Sequence, residues 1–376
     1  MTGGVGRLDP ARLLRSPVWV DAILPTVLLR VVILVFAVLA VIVIAPSALP
    51  GGSLLGIWDR WDTPHYLEVA RYGYGPPADP ARIVLFPLTP ALFALGSLVL
   101  QPLVAGMLIS FGATLVAAAG LYGLMRLDDA RPASRLAVLA MSVFPTAYSL
   151  VAAYSEAIFL ACAVWAFLLA RQGRWAGAGL CSLLAGLARL QGVFILPALA
   201  VEYWLSRRRI DRDAGWLVLG LGGPLVYLAI NALTFGDPFT FLGVQASVFR
   251  VSSIAPWTAL ANAYTGALAV QPTEYWATVY LAPFASYVLL GIVTVWTLVG
   301  KGSRPSYAVY TGLSFLSFST LSWPLSVPRY VMGVFPIFMV TGRLARRPWL
   351  GPPILVGSTL LFGIVLTLFV IGHWAF

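Results

Sequence analysis

The run Trp58-Asp59-Arg60-Trp61-Asp62-Thr63-Pro64-His65-Tyr66 gathers two carboxylates, a guanidinium and an imidazole, in a chain where only 10% of residues are charged. An ionised carboxylate at the mouth of an apolar cavity can take the proton from a sugar hydroxyl as that oxygen attacks an anomeric carbon, and one such base suffices for an inverting displacement. Asp62 is the first candidate for that base and Asp59 the second. A phosphate leaving group needs cations or hydrogen-bond donors to neutralise it, and Arg189, Arg329, Arg250 and His65 are the candidates for that role. The same residues also admit a plainer reading, a solvated loop whose surface ion pair is worth about 0–1 kcal/mol and performs no chemistry.

The elements that must position these residues are set by composition. Hydrophobic residues make up 60% of the 376-residue chain, and the mean hydropathy is +0.89, far outside the usage of ordinary soluble domains. The chain therefore reads as an all-α integral membrane protein, because lipid offers no partner to open backbone groups and helices satisfy their own. Apolar segments run over 22–45, 85–100, 103–125, 136–153, 157–170, 175–188, 192–205, 215–234, 276–299, 307–321, 331–344 and 350–374. Segment 85–100 is short and flanked by proline, and is expected to be a half-depth or re-entrant helix. About eleven spans result, at roughly 20 apolar residues per crossing. Arg7, Arg12 and Arg15 precede a run too long for a cleaved signal, so the first helix is expected to stay in place.

The formal charge of +10 is spread over short inter-helix loops rather than one folded face, which is the layout of a topology signal and argues against nucleic acid as a partner. Arginine clusters at the N-terminus, 126–135, 171–174, 207–212, 301–304 and 343–347 read as cytoplasmic. The remaining loops then face outward: 46–85, the turn at Tyr154-Ser155-Glu156, the turn at Arg189-Leu190-Gln191, 235–273 and 322–329. One membrane domain, 1–376, is expected, with 46–85 and 235–273 as its two large outer loops. Cys162 and Cys181 lie inside apolar runs and read as free thiols. The single lysine, Lys301, among many arginines, alanines and glycines fits a GC-rich bacterial genome.

Within 46–85, Thr63-Pro64 reads as an N-cap followed by proline at the first helical position, with Gly73 as the left-handed C-cap. A short interfacial helix over 64–72 is expected, its Tyr66, Val69 and Ala70 facing the bilayer. Asp62 then sits just outside a helix N-terminus whose dipole favours its ionised form, and His65 is in reach of the acid or of a substrate phosphate. Glu156 at an outward helix end reads either as a structural cap or as a substrate contact. Arg189 lies between apolar segments where an arginine costs about 2.5–3.5 kcal/mol on insertion scales, so it serves a substrate, snorkels, or pairs with a buried acid. Trp257, Trp276, Trp323 and Trp349 fit an aromatic belt, and His373 an interfacial position. Dinucleotide loops, P-loops, Cys/His metal spacings and Ser-His-Asp arrangements are absent from the sequence. No cofactor or metal is expected, Asp59 and Asp62 by themselves offering at most a weak divalent site.

Residues Arg60-Trp61-Asp62-Thr63-Pro64-His65-Tyr66-Leu67-Glu68-Val69-Ala70-Arg71-Tyr72-Gly73-Tyr74, followed by Phe86-Pro87-Leu88-Thr89-Pro90, closely resemble the PIG-V mannosyltransferase family, including its bacterial members. Later blocks are similar in the same order: Phe144-Pro145 with Ala153-Tyr154-Ser155-Glu156, then Ala188-Arg189-Leu190-Gln191-Gly192. Asp237-Pro238-Phe239 with Gln245 follows, and then Pro328-Arg329-Tyr330 with Phe335-Pro336. The likeness covers about 58–336 and departs at Ala157 and Leu190, where the family often has Ser and Asn. It implies a GT-C fold and transfer of a sugar, usually mannose, from a polyprenyl or dolichyl monophosphate carrier on the non-cytoplasmic face, with Asp62 aligned to the family's presumed base. It also implies substrate contacts for Tyr154, Glu156, Arg189, Gln191, Gln245, Arg329 and Tyr330.

The expectation is an inverting transferase of the bacterial cytoplasmic membrane, with a polyprenyl-phosphate sugar as donor, a glycolipid or other glycan as acceptor, and membrane lipids around it. Two other readings stay open from the residues alone: a transporter or flippase for lipid-linked sugars, and a subunit that binds the lipid carrier without catalysis.

Overall fold

The computed structural model describes residues 16–49, 53–271, 273–300 and 302–376. Arg7, Arg12, Arg15 and Lys301, read above as cytoplasmic charges, lie outside the described residues, as do positions 50–52 of the first outer loop. No strand forms among the described residues, where one isolated antiparallel bridge joins Ser253 to Leu321.

Five helices are long and apolar enough to cross a membrane: α1 (Trp19–Ile44), α4 (Pro102–Arg126), α9 (Arg212–Phe235), α12 (Glu274–Val299) and α16 (Gly351–Ile371). The chain is a helical membrane protein. Between them in sequence lie α2 (Asp62–Tyr72), α3 (Leu88–Gly96), α5 (Arg131–Ser142), α6 (Glu156–Arg171), α7 (Trp175–Ala188) and α8 (Ile195–Arg207). The segment 235–273 contains α10 (Thr240–Ser247) and α11 (Pro256–Leu268), and α13 (Pro305–Phe318), α14 (Val327–Tyr330) and α15 (Pro336–Leu344) precede the last helix.

Several apolar segments are thus shorter as regular helix than the sequence pattern suggests. The helical repeat is interrupted by 3-10 turns at Ala147–Leu150, Leu190–Phe194 and Val331–Gly333. All of Ala147–Leu150 and Val331–Gly333 is buried, and irregular backbone at membrane depth is tolerated where protein covers it. These breaks matter because Tyr154, Arg189 and Arg329 stand beside them in the chain.

Burial identifies the centre. In α6 nearly every residue from Glu156 to Ala170 is buried, as expected of a helix that is apolar all round and enclosed by neighbours. It packs between α4 and α7, with α9 beyond α7. The opposite pattern marks the periphery: Val32 on α1, Leu360 on α16 and Leu298 on α12 are 61%, 64% and 67% exposed. Apolar side chains turned outward are stable in lipid and would be costly in water.

Two polar networks sit at opposite ends of α6. At its C-terminal end Arg171 pairs with Asp128 at 2.7 Å and lies 3.6 Å from Glu202, which also binds Arg304 at 2.6 Å. Next to Asp128, Asp129 pairs with Arg343 at 2.8 Å. Four of the arginine loops assigned from sequence to one side, 126–135, 171–174, 301–304 and 343–347, contribute to this network through Arg171, Arg304, Arg343 and the adjacent acids Asp128 and Asp129. The second network contains Glu156, at the start of the helix, about 22 Å away at 1.5 Å per residue.

Candidate functional site

Asp62 is the first residue of α2, two positions earlier than the sequence signals suggest, and Thr63 does not cap the helix. The capping residue is Trp61, whose φ of 54° and ψ of −109° turn the chain sharply into the helix. Such a conformation is sparsely populated for a residue with a Cβ and persists where surrounding contacts hold it. Trp61 packs edge-on against Trp374, ring centroids 5.0 Å apart. At the head of the helix the Asp62 backbone N–H donates to the Tyr154 hydroxyl at 3.3 Å. At the other end of α2, Gly73 has φ 76° as its C-cap, a value glycine adopts without a steric cost.

The carboxylate of Asp62 is one-third exposed and lies 2.6 Å from Nη2 of Arg329. Arg329 is buried, its guanidinium over the Tyr154 ring at 4.9 Å. Its Nε stands 2.9 Å from Glu156 Oε1 but is not aimed to donate to it, so that contact is coulombic and leaves the Nε–H without a hydrogen-bond acceptor. Glu156 is 2% exposed and shares the same Oε1 with Arg189 Nη1, at 2.6 Å. Of the two readings weighed for Glu156, the structural cap does not form: no side chain caps α6, and the Glu156 oxygen is turned onto two arginines.

Arg189 has the buried-acid partner anticipated among its alternatives. Its Nη1 also donates to Ser155 Oγ at 2.8 Å and its Nε to Gln191 Oε1 at 3.1 Å, and its guanidinium lies 5.1 Å from the Tyr330 ring centroid. Gln191 in turn donates through Nε2 to the Tyr330 carbonyl at 3.0 Å. On its other side the Leu190–Phe194 turn sits tight against α7 through Gly192, where a Cβ would run into the backbone of Gly186. The Tyr66 hydroxyl closes the ring by donating to Ser155 Oγ at 2.9 Å. Burial pushes the Tyr66 phenol well above its ordinary value, which keeps it a donor.

Seven of the residues singled out from sequence therefore meet in one cluster: Asp62, Tyr154, Glu156, Arg189, Gln191, Arg329 and Tyr330. Four do not join it. Asp59 is exposed after the Gly56–Trp58 turn and makes no ion pair among the described residues. No hydrogen bond links His65 to Asp62; burial, then the charge of Arg82, holds its imidazole below 6.5, so it is neutral at neutral pH. Gln245 lies on α10 and exposed Arg250 beyond it, and neither side chain makes a hydrogen bond or ion pair to the cluster.

Ser155 and Tyr66 belong to the cluster and were not singled out. Tyr66 read as an apolar-face residue, and only its hydroxyl at the N-terminal turn of a buried helix hints otherwise. Ser155 stands between two chosen residues, and its type alone carries no signal. Among the described residues no three His, Cys, Asp or Glu side chains gather as metal ligands.

The cluster holds two acids and two arginines, one acid open to solvent and one arginine nitrogen without an acceptor. That set can accept a proton at Asp62 and can hold an anion at Arg329 and Arg189. An apolar groove of about 1020 Å³ runs along α12 from Phe284 to Val299, walled by Tyr264 of α11 and Phe315 of α13. The charged cluster does not line it. The two are linked through Tyr287, whose hydroxyl donates to the Phe318 carbonyl at 2.8 Å, and Phe318, whose ring lies 5.8 Å from that of Tyr330.

No protein-family model matches this sequence, and no characterised protein matches it either.

Proposed function

We propose that this protein is an inverting glycosyltransferase that moves a sugar, mannose by the family resemblance, from a polyprenyl-phosphate carrier to an acceptor hydroxyl on the outer face of a bacterial cytoplasmic membrane. The observation that carries the reading is the pairing of solvent-open Asp62 with buried Arg329, next to a second fixed arginine. A base and an anion site are thereby a few ångströms apart, as a displacement at an anomeric carbon requires.

The reaction balances on these groups. Asp62 takes the acceptor hydroxyl's proton as its oxygen bonds to the anomeric carbon, the bond from that carbon to the phosphate oxygen breaks, and the carrier departs as a monophosphate with one more negative charge. Arg329 and Arg189 are placed to offset that charge in a site with little water, where such interactions are strongest. The groove along α12 suits an isoprenoid tail, being apolar over its whole length and connected to Tyr330 through Tyr287 and Phe318. The reading brings with it a GT-C-type bundle of about eleven spans, in which shorter helices cross as pairs broken by 3-10 turns.

The test is transfer from polyprenyl-phosphomannose by the purified protein to an acceptor found in envelope extracts, compared with Asp62→Asn. General-base catalysis contributes roughly 10²–10⁴-fold, so the variant should lose transfer by about that factor. Undiminished transfer by Asp62→Asn would remove Asp62 as the base.

A further inference from the structure

The charges of the cluster cancel before any substrate arrives: Asp62 and Glu156 against Arg189 and Arg329. An arriving phosphate must therefore compete with an acid already in place. The four side chains are not equally free to yield. Glu156 is enclosed and bound by two arginines; Arg189 is fixed by Ser155, Glu156 and Gln191; Arg329 lies over the Tyr154 ring with 8% of its side chain exposed. Asp62 alone faces solvent, with 32% of its side chain exposed, and its contact to Arg329 lacks the alignment of a hydrogen bond.

From this asymmetry we infer that Arg329 is held by Asp62 in the empty site and by the donor's phosphate in the loaded site, so that the arriving anion releases the base. The unaccepted Nε–H of Arg329 marks where a second phosphate oxygen can be met, since a guanidinium offers a planar fork suited to two oxygens. Released from Arg329, the carboxylate is free to take the acceptor hydroxyl's proton, and it is free only when a donor is present. The inference rests on the function proposed above and specifies how that site is controlled.

The test measures equilibrium binding of farnesyl phosphate to the full chain in detergent and needs no turnover. If Asp62 competes with the phosphate for Arg329, Asp62→Asn should tighten binding about tenfold. The gain should vanish in the Arg329→Gln background, because the coupling runs through that arginine. Asp79→Asn removes an equal charge from the same loop and should leave affinity unchanged, which separates competition from a general field. Inorganic phosphate should show the same ratio at weaker affinity, and farnesol, which lacks the anion, should show none.

Unchanged or weaker farnesyl phosphate binding by Asp62→Asn overturns the exchange, as does an equal gain in Asp79→Asn. Should Arg329→Gln not fold, Asp62→Ala beside Asp79→Asn still decides. Tightening as expected in a protein that transfers no sugar leaves the exchange standing and removes the transferase reading, whereas transfer without tightening does the reverse.

Discussion

Glu156 and Asp62 each stand within 3 Å of Arg329, and burial separates what they do for the molecule. A pair with one partner one-third exposed gains little, because water screens it and competes for both ions; measured values for open pairs run to about 1 kcal/mol. A buried carboxylate between two guanidiniums is different, since removing it leaves uncompensated positive charge in a poor solvent, a loss of about 3–5 kcal/mol. Glu156→Gln should accordingly lower the thermal midpoint of the purified protein by several degrees or prevent its recovery, while Asp62→Asn should move it little. Equal shifts would mean that Glu156 does not organise the two arginines.

At the scale of elements, α2 shows what sequence signals convey and where they stop. Its existence, its glycine terminator and the acid at its head follow from local residue types. Its first residue does not, because the group that satisfies the Asp62 N–H belongs to Tyr154, 92 positions along the chain, and no local pattern reports such a partner. The same helix carries a second anchor that the sequence left unread. Glu68 accepts the Asp79 backbone N–H at 2.9 Å and binds Arg82 at 2.7 Å, pinning the loop that follows. The Asp79 hydrogen bond, then Arg82, hold the Glu68 carboxyl below its ordinary 4.5. A depressed carboxyl stabilises the fold above its unfolded value, and that contribution is lost as pH falls through the folded one. The gap in unfolding midpoint between the wild type and Glu68→Gln should therefore be full at pH 6–7 and close as pH drops below about 4.5; a gap that persists at pH 3 would assign its origin to packing.

At the scale of the whole molecule, the scarcity of charge made the site readable. Asp62, Glu156, Arg189 and Arg329 come from four distant segments, and each stood out because a charge in an apolar chain needs a reason. Their pairing was less legible: Arg189 with Glu156 was only one of several options, and Gln245 and Arg250 shared the outer-loop assignment without reaching the cluster. Helix lengths were misjudged for a related reason, since hydropathy registers apolar residues through a buried 3-10 turn as though the helix continued.

Sidedness is the property on which chemistry and topology meet. The arginine network around Asp128, Arg171, Glu202 and Arg304 and the cluster around Asp62 lie at opposite ends of α6, so fixing one side fixes the other. The proposed topology keeps the arginine-rich loops cytoplasmic and so sets Asp62 outside, where the proposed donors are lipid-linked rather than nucleotide sugars. The orientation can be read directly. With Cys162 and Cys181 replaced by serine, single cysteines introduced as Asp79→Cys and Arg209→Cys report on the two ends, their parent side chains being 48% and 75% exposed. A membrane-impermeant maleimide applied to intact cells should label Asp79→Cys and spare Arg209→Cys until the membrane is permeabilised. The inverse pattern would turn Asp62 toward the cytosol and end the case for a lipid-phosphate donor, because the carboxylate would then face the compartment of soluble activated sugars.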